Sequence, residues 1–278
     1  MAKDRQHDVM RQYYELGNEA TRLSRSGAGR LEFERTQEIL LRHLPEPPAT
    51  VADIGGGPGR YALWLAGLGY RVVHRDLVPL HVEQLRDAVA SDLPKGPGGF
   101  VESSLGDARS LDLGDASVDA VLLLGPLYHL TRRADRVQAL GEAGRVVRAG
   151  GPVFAAAISR WAARLDGILR LRMYEQNPNV AEVVGTLERT GVMPPLLPGG
   201  FTGFTHRPGQ LRAEFASAGL DVADFVCVEG AAYLLADLDD RVADERAWQV
   251  VLDTARAHER VPELMGLGSH LLATGFRR

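Results

Sequence analysis

From Thr50 onward, short apolar runs alternate with segments whose apolar residues recur every three or four positions. Residues 50–54, 70–74, 100–103, 118–124 and 152–158 are strand-length runs rich in Val, Leu, Ile and Ala. Residues 61–68, 79–90 and 134–147 between them carry the helical period. Such alternation predicts a parallel sheet with helices on both faces. The rhythm stops after Ser159 and resumes with a helix at 208–218 and a strand at 221–228. A second helical excursion follows at 237–264, and residues 271–276 form a final strand in this reading. Ahead of Thr50, residues 1–44 are polar and helical, with Phe33, Leu40, Leu41 and Leu44 on one face; Pro45, Pro47 and Pro48 end the helix.

The organisation expected from this pattern is a helical lead-in over residues 1–48 and one α/β domain over 49–278. Two helical insertions interrupt that domain, at about 160–207 and 230–267. An insertion that follows the carboxyl end of a strand is well placed to act as a lid.

Composition narrows the function. Of 278 residues, 45% are hydrophobic and 24% charged, as in an ordinary globular protein. With 32 basic against 36 acidic residues the net charge is −4, which lacks the basic surplus that phosphate backbones require, so nucleic acid is not the expected partner. Lys3 and Lys95 are the only lysines, and the arginine excess indicates no recognition surface. The single cysteine, Cys227, excludes an internal disulfide and fits a reducing, cytoplasmic setting. No stretch approaches the roughly 18 apolar residues of a membrane-spanning helix. The eight histidines show no metal-ligand spacing, and no metal is expected.

The sharpest local signal is Val51-Ala52-Asp53-Ile54-Gly55-Gly56-Gly57-Pro58-Gly59, a strand running into a glycine-rich turn that opens a helix. Such a turn lets backbone approach a ligand closely and offers free N–H groups. A dinucleotide fingerprint would need glycine at its sixth position, where Arg60 stands, and a Walker loop would need a lysine. Two further acids follow later strands. Asp76, with Leu77 behind it, ends the second strand, where a carboxylate can accept from ribose hydroxyls. Asp107, between Gly106 and Ala108, follows the third, where it can accept from an exocyclic amine.

The spacing Asp53-x-Gly55-x-Gly57-x-Gly59, with Asp76 and Asp107 in order behind it, resembles the class I methyltransferases that use S-adenosylmethionine (SAM). The resemblance covers residues 50–159. It implies an α/β fold, a seven-stranded mostly parallel sheet with one antiparallel strand near its edge. It also implies SAM as cofactor, S-adenosylhomocysteine (SAH) as product and a small-molecule methyl acceptor. In that family the glycine turn wraps the methionine end, the acid at Asp76 binds ribose and the acid at Asp107 binds adenine. The usual glycine two residues before Asp76 is replaced by His74.

The reacting end is then expected where Leu124 leads out of the fourth strand toward Tyr128 and His129. Methyl transfer is an in-line displacement that needs alignment and, for a hydroxyl acceptor, a base. His129 is the candidate base and Tyr128 a candidate for holding the acceptor. Weaker candidates for acceptor contact are Tyr14 on the lead-in, Arg160 with Ser159 beyond the fifth strand, and His206 at the return from the first insertion. Tyr13, Arg30, Glu32 and Arg35 share the lead-in, where one arginine can meet the carboxylate of SAM. Two alternatives keep all three acids: a SAM-binding enzyme catalysing another reaction such as a cyclisation, and a non-catalytic SAM-binding module. The acceptor atom and the oligomeric state are not readable at this level.

Overall fold

The computed structural model describes residue 14 and residues 19–92, 100–195 and 202–277. Seven strands form one sheet: β1 (Thr50–Ile54), β2 (Arg71–Asp76), β3 (Phe100–Leu105), β4 (Ala120–Leu123), β5 (Pro152–Ile158), then β8 (Leu220–Cys227) and β9 (His270–Arg277). Their order is β3-β2-β1-β4-β5-β9-β8. All neighbours through β5 are parallel, whereas β9 runs antiparallel to both β5 and β8. The fold class and the single antiparallel strand beside the edge are therefore as the sequence predicts. This is the class I methyltransferase fold.

The apolar runs are continuous because both faces of the sheet are covered, so alternate residues enter different cores. Ala52, Val121, Leu123, Val153 and Ala155 face one side, against α5 (Arg133–Val146) and α7 (Pro208–Ser217). Val51, Leu122 and Phe154 face the other, against α1 (Gly27–Leu41), α2 (Arg60–Gly67) and α3 (Pro79–Asp92). Strand β4 is shorter than its apolar run, Val118 making only an isolated bridge to Val147. A fourth short helix, α4 (Pro126–His129), leaves β4 at once because Pro126 pre-sets the first helical turn.

The first insertion holds a π-helical stretch, Ala163–Arg170, then α6 (Val180–Thr190) and the pair β6 (Val192–Met193) and β7 (Gly203–Phe204). It packs a small core of its own from Ala163, Val180, Val184 and Leu187. The second excursion contains α8 (Glu245–His258), whose Trp248, Val251 and Leu252 pack with Leu31 of α1. Among the described residues no helix is long and apolar enough to cross a membrane.

The sheet order reverses between β1 and β4, one connection leading to β2 and β3 and the other to β5. In open α/β sheets the crevice at that switch point, beyond the carboxyl ends of the strands, is where ligands bind.

Candidate functional site

A cavity of about 340 Å³ lies in that crevice, and Asp53, Asp76 and Asp107 all line it. Asp53 is the most unusual of the three. It is fully buried, and neither carboxylate oxygen has a hydrogen-bond partner among the described residues. Burial first, and the charge of Asp76 second, push its pKa up to about 7. The glycine turn crowds against it: a Cβ at Gly56 would stand 2.3 Å from Asp53 Oδ2. At the far end of the turn Gly59 adopts φ +83° and caps α2.

His74 pins this turn from below. Its Nε2 bonds the Gly57 carbonyl at 3.0 Å, and its Nδ1 meets Ser103 Oγ at 2.9 Å. Burial lowers its pKa to about 4, so the ring is neutral. Because a carbonyl only accepts, Nε2 carries the proton and Nδ1 accepts from the serine hydroxyl.

Asp76 ends β2 and is almost fully buried. Burial raises its pKa, but hydrogen bonds from His81 and the Val78 backbone and the nearby His74 outweigh this and hold it below its ordinary value. Gly57 N–H donates to Oδ2 at 2.8 Å, while Val78 N–H donates to Oδ1 at 2.8 Å. Leu77 and Val78 line the cavity beside it. Asp107, between Gly106 and Ala108 in the wall, is held by Arg109, whose backbone N–H and Nε both reach Oδ1 at 2.9 Å.

At the other end, Leu124, Gly125, Tyr128 and His129 line the same cavity, as does Tyr14 from the lead-in. Tyr14 Oη lies 2.9 Å from His129 Nε2, and its ring packs edge-on against both His129 and His81. Burial lowers the His129 pKa to about 4, a shift that the charge of Asp76 only partly offsets. Burial also keeps Tyr128 protonated well beyond its usual range. The reacting end thus presents a neutral imidazole and phenolic groups.

Arg160 and His206 are placed elsewhere, and neither lines the cavity. Arg160 is 2% exposed and donates to the carbonyls of Thr205 and Glu188 and to Gln210. His206 is 0% exposed, with Nε2 3.1 Å from Glu214, which also holds Arg136. Both fasten the return of the first insertion to the sheet, Ser159 pairing with His206 in an isolated bridge. Their physical role is to satisfy buried backbone carbonyls and charges, and they are not available to an acceptor in the cavity. Nor does any described residue of 160–207 or 230–267 line the cavity, whose cover is built from Tyr14, Glu19, Arg22 and Leu23. Tyr13 lies outside the described residues. Arg30 bonds Glu34 and lies over Trp248, and Arg35 is buried against Glu38 and Glu259.

Among the described residues of the lead-in, the arginine that does reach the cavity is Arg22. It is forked onto Glu32 at 2.6 and 2.9 Å and reaches Glu19 at 2.7 Å. Behind it Glu32, Glu229 and His270 converge with potential metal-ligand atoms within 4.8 Å of one another. Burial lowers the His270 pKa, but the two carboxylates overcome this and raise it to about 9. Arg22 and protonated His270 therefore already supply the positive charge those carboxylates need. Sequence pattern offers no signal for Arg22, because its position depends on a partner ten residues away on the next helix.

Residues 52–155 match the family model described as a methyltransferase domain. That match spans 104 of the 278 residues. The chain is similar to a ubiquinone/menaquinone biosynthesis C-methyltransferase of Acidiphilium cryptum, 32% identical over 45% of this chain and 48% of the relative. It is also similar to the O-methyltransferase cnsE of Penicillium expansum, 30% identical over 41% of this chain and 40% of the relative. The chain thus spans about half the length of the curated relatives it matches, or less. In fold the methyltransferase domain and its surroundings resemble a SAM-dependent methyltransferase of Methanosarcina mazei, with TM-score 0.59, 18% identity and coverage of 86% of this chain and 96% of the other.

Proposed function

We propose that the chain transfers the methyl group of SAM to a small-molecule acceptor. The observation that carries this reading is one cavity onto which three strand-end carboxylates converge, the first of them buried without a partner among the described residues. SAM presents, in the same order, an ammonium, a ribose diol and an exocyclic amine, each a donor to one of those acids. An unpaired buried carboxylate is costly, and an ammonium delivered to Asp53 relieves that cost. SAM when bound supplies a methyl group on a positively charged sulfur, an electrophile that needs only an aligned nucleophile.

The chain's own groups then have separable tasks. Asp53, Asp76 and Asp107 fix the cofactor along its length, and Arg109 steadies the last of them. The cover that Tyr14, Glu19, Arg22 and Leu23 provide excludes water from the reacting end. His129 faces that end as a neutral imidazole, its ring held by the hydrogen bond between Nε2 and the Tyr14 hydroxyl. With its conjugate acid near pKa 4, it is a weak base. Removing a proton from a phenol of ordinary pKa near 10 would cost about 8 kcal/mol. His129 is therefore a positioning group, and the acceptor is a nucleophile that needs little deprotonation, such as an amine, carboxylate or enolate. A small acceptor fits the net acidic charge, and a cytoplasmic setting fits the lone buried Cys227.

SAH release in the presence of a panel of amines, carboxylates, enols and phenols tests both parts. His129→Ala should lower kcat at least tenfold with SAM affinity within about threefold of the unmodified protein. With SAM saturating and an acceptor that does not titrate in this range, kcat of the unmodified protein should stay level from pH 5.5 to 8, since His129 is neutral throughout. A rise in kcat centred near pH 6.5 would restore His129 as a true base, and no SAM binding at all would remove the reading.

A further inference from the structure

Asp76 cannot take both ribose hydroxyls. An ionised carboxylate has about four lone-pair sites, two on each oxygen. On Oδ1 both are filled, by Val78 N–H at 2.8 Å and His81 Nδ1 at 3.2 Å. On Oδ2 one is filled, by Gly57 N–H at 2.8 Å. One site remains for a ligand that brings two hydroxyl donors.

The missing acceptor stands next to it. His81 lies in the first turn of α3, is 3% exposed and lines the same cavity as Asp76. Its Nδ1 must be the donor toward Asp76, because a carboxylate only accepts, so in the neutral ring Nε2 is left with a bare lone pair. That Nε2 is buried and has no hydrogen-bond partner among the described residues. The ring is held in place by Asp76 on one side and by the edge of Tyr14, centroids 5.0 Å apart, on another. A buried polar atom kept unpaired in a rigid ring beside a ligand cavity marks where a ligand donor sits.

We propose that His81 Nε2 accepts one hydroxyl of the SAM ribose while Asp76 Oδ2 accepts the other. His81 is then a specificity-determining residue that, with Asp76, selects a vicinal diol. Asp76 serves both hydroxyls, one directly and one through the orientation it imposes on His81. This inference rests on the proposed use of SAM.

Calorimetric titration with SAH and with its 2′-deoxy and 3′-deoxy analogues tests it. For the unmodified protein each missing hydroxyl should weaken binding about tenfold, the effect of one hydrogen bond. In His81→Leu one of the two penalties should vanish while the other persists, and His81→Gln, which keeps an acceptor on the cavity side, should restore it. Equal penalties in all three proteins overturn the role of His81 while leaving SAH binding, and hence the proposed function, intact. An unmodified protein that binds no SAH overturns both. Should His81→Leu fail to fold, the ¹⁵N resonance of His81 Nε2 in the unmodified protein decides. It should move on addition of SAH and return toward its free position with one deoxy analogue; no movement with SAH overturns the inference.

Discussion

The Asp53 carboxyl makes stability and ligand binding depend on pH in a calculable way. An ordinary aspartate titrates near 3.8, whereas burial and the Asp76 charge bring Asp53 to about 7 in the folded protein. Between those values the folded chain retains a proton that the unfolded chain has lost, so stability falls as pH rises through this window. A tenfold difference in proton affinity is worth about 1.4 kcal/mol, and integrating from pH 5 to pH 8 gives a loss of about 2.5 kcal/mol attributable to this one group. Asp53→Asn cannot titrate and should not show that loss. The gap in stability between the two proteins should therefore move by about 2.5 kcal/mol across the range, or roughly 4–8 °C in Tm for a chain of this size. Urea or thermal melts of both proteins at pH 5, 6, 7 and 8 measure this, and any constant effect of the amide cancels in the comparison. SAM affinity should rise with pH through 7 in the unmodified protein and remain flat in the variant, because only ionised Asp53 attracts an ammonium. Parallel stability profiles for the two proteins would refute the assignment of an unpaired, titrating acid at the centre of the site.

Two other perturbations separate scaffold from site. Arg160→Ala should lower stability by roughly 3 kcal/mol or more, leaving buried acceptors on Thr205, Glu188 and Gln210 unpaired. SAH affinity should stay within twofold, and a large loss of affinity in the folded variant would return Arg160 to the site. Gly59→Ala should cost about 1–3 kcal/mol, since its φ is +83° and a Cβ would stand 2.3 Å from Leu85 Cδ1. Gly67→Ala, where a Cβ meets nothing, serves as the control and should be neutral or slightly stabilising in the same urea melts.

The centre of the sheet is legible because β1, β4 and β5 are buried on both faces, which writes an unbroken apolar run into the sequence. Residues 50–54 and 152–158 match β1 and β5 at both ends. Boundaries moved where the pattern is mixed: β2 continues through Arg75 to Asp76, its arginine neutralised by Glu102 and Asp112. Asp53, Asp76 and Asp107 could be placed from sequence because parallel strands carry their carboxyl ends to one edge. Arg160 and His206 were misplaced for the converse reason. Position after a strand says where a side chain starts, but the partners that capture these two come from 45 and 50 residues away for Arg160, and from α7 for His206. His81 is not legible in the sequence, since its meaning depends on how many acceptor sites Asp76 has already filled, a quantity that no residue pattern encodes.

The helix that supports the cavity cover is stitched to the far end of the chain. Gly27 N–H bonds Asp239, Trp248 bonds Glu34, Arg42 forks onto Glu259, and Glu32 sits beside His270. These contacts join residues more than two hundred positions apart, and closing loops of that length is slow. On a ribosome the glycine turn and its three acids are synthesised first, and the helix that carries the cover gains these long-range bonds only after residues 239–270 have emerged. A nascent or shortened chain ending after β5 would expose its acids to water instead of enclosing them, so selective cofactor binding would appear late, as a marker of completed assembly.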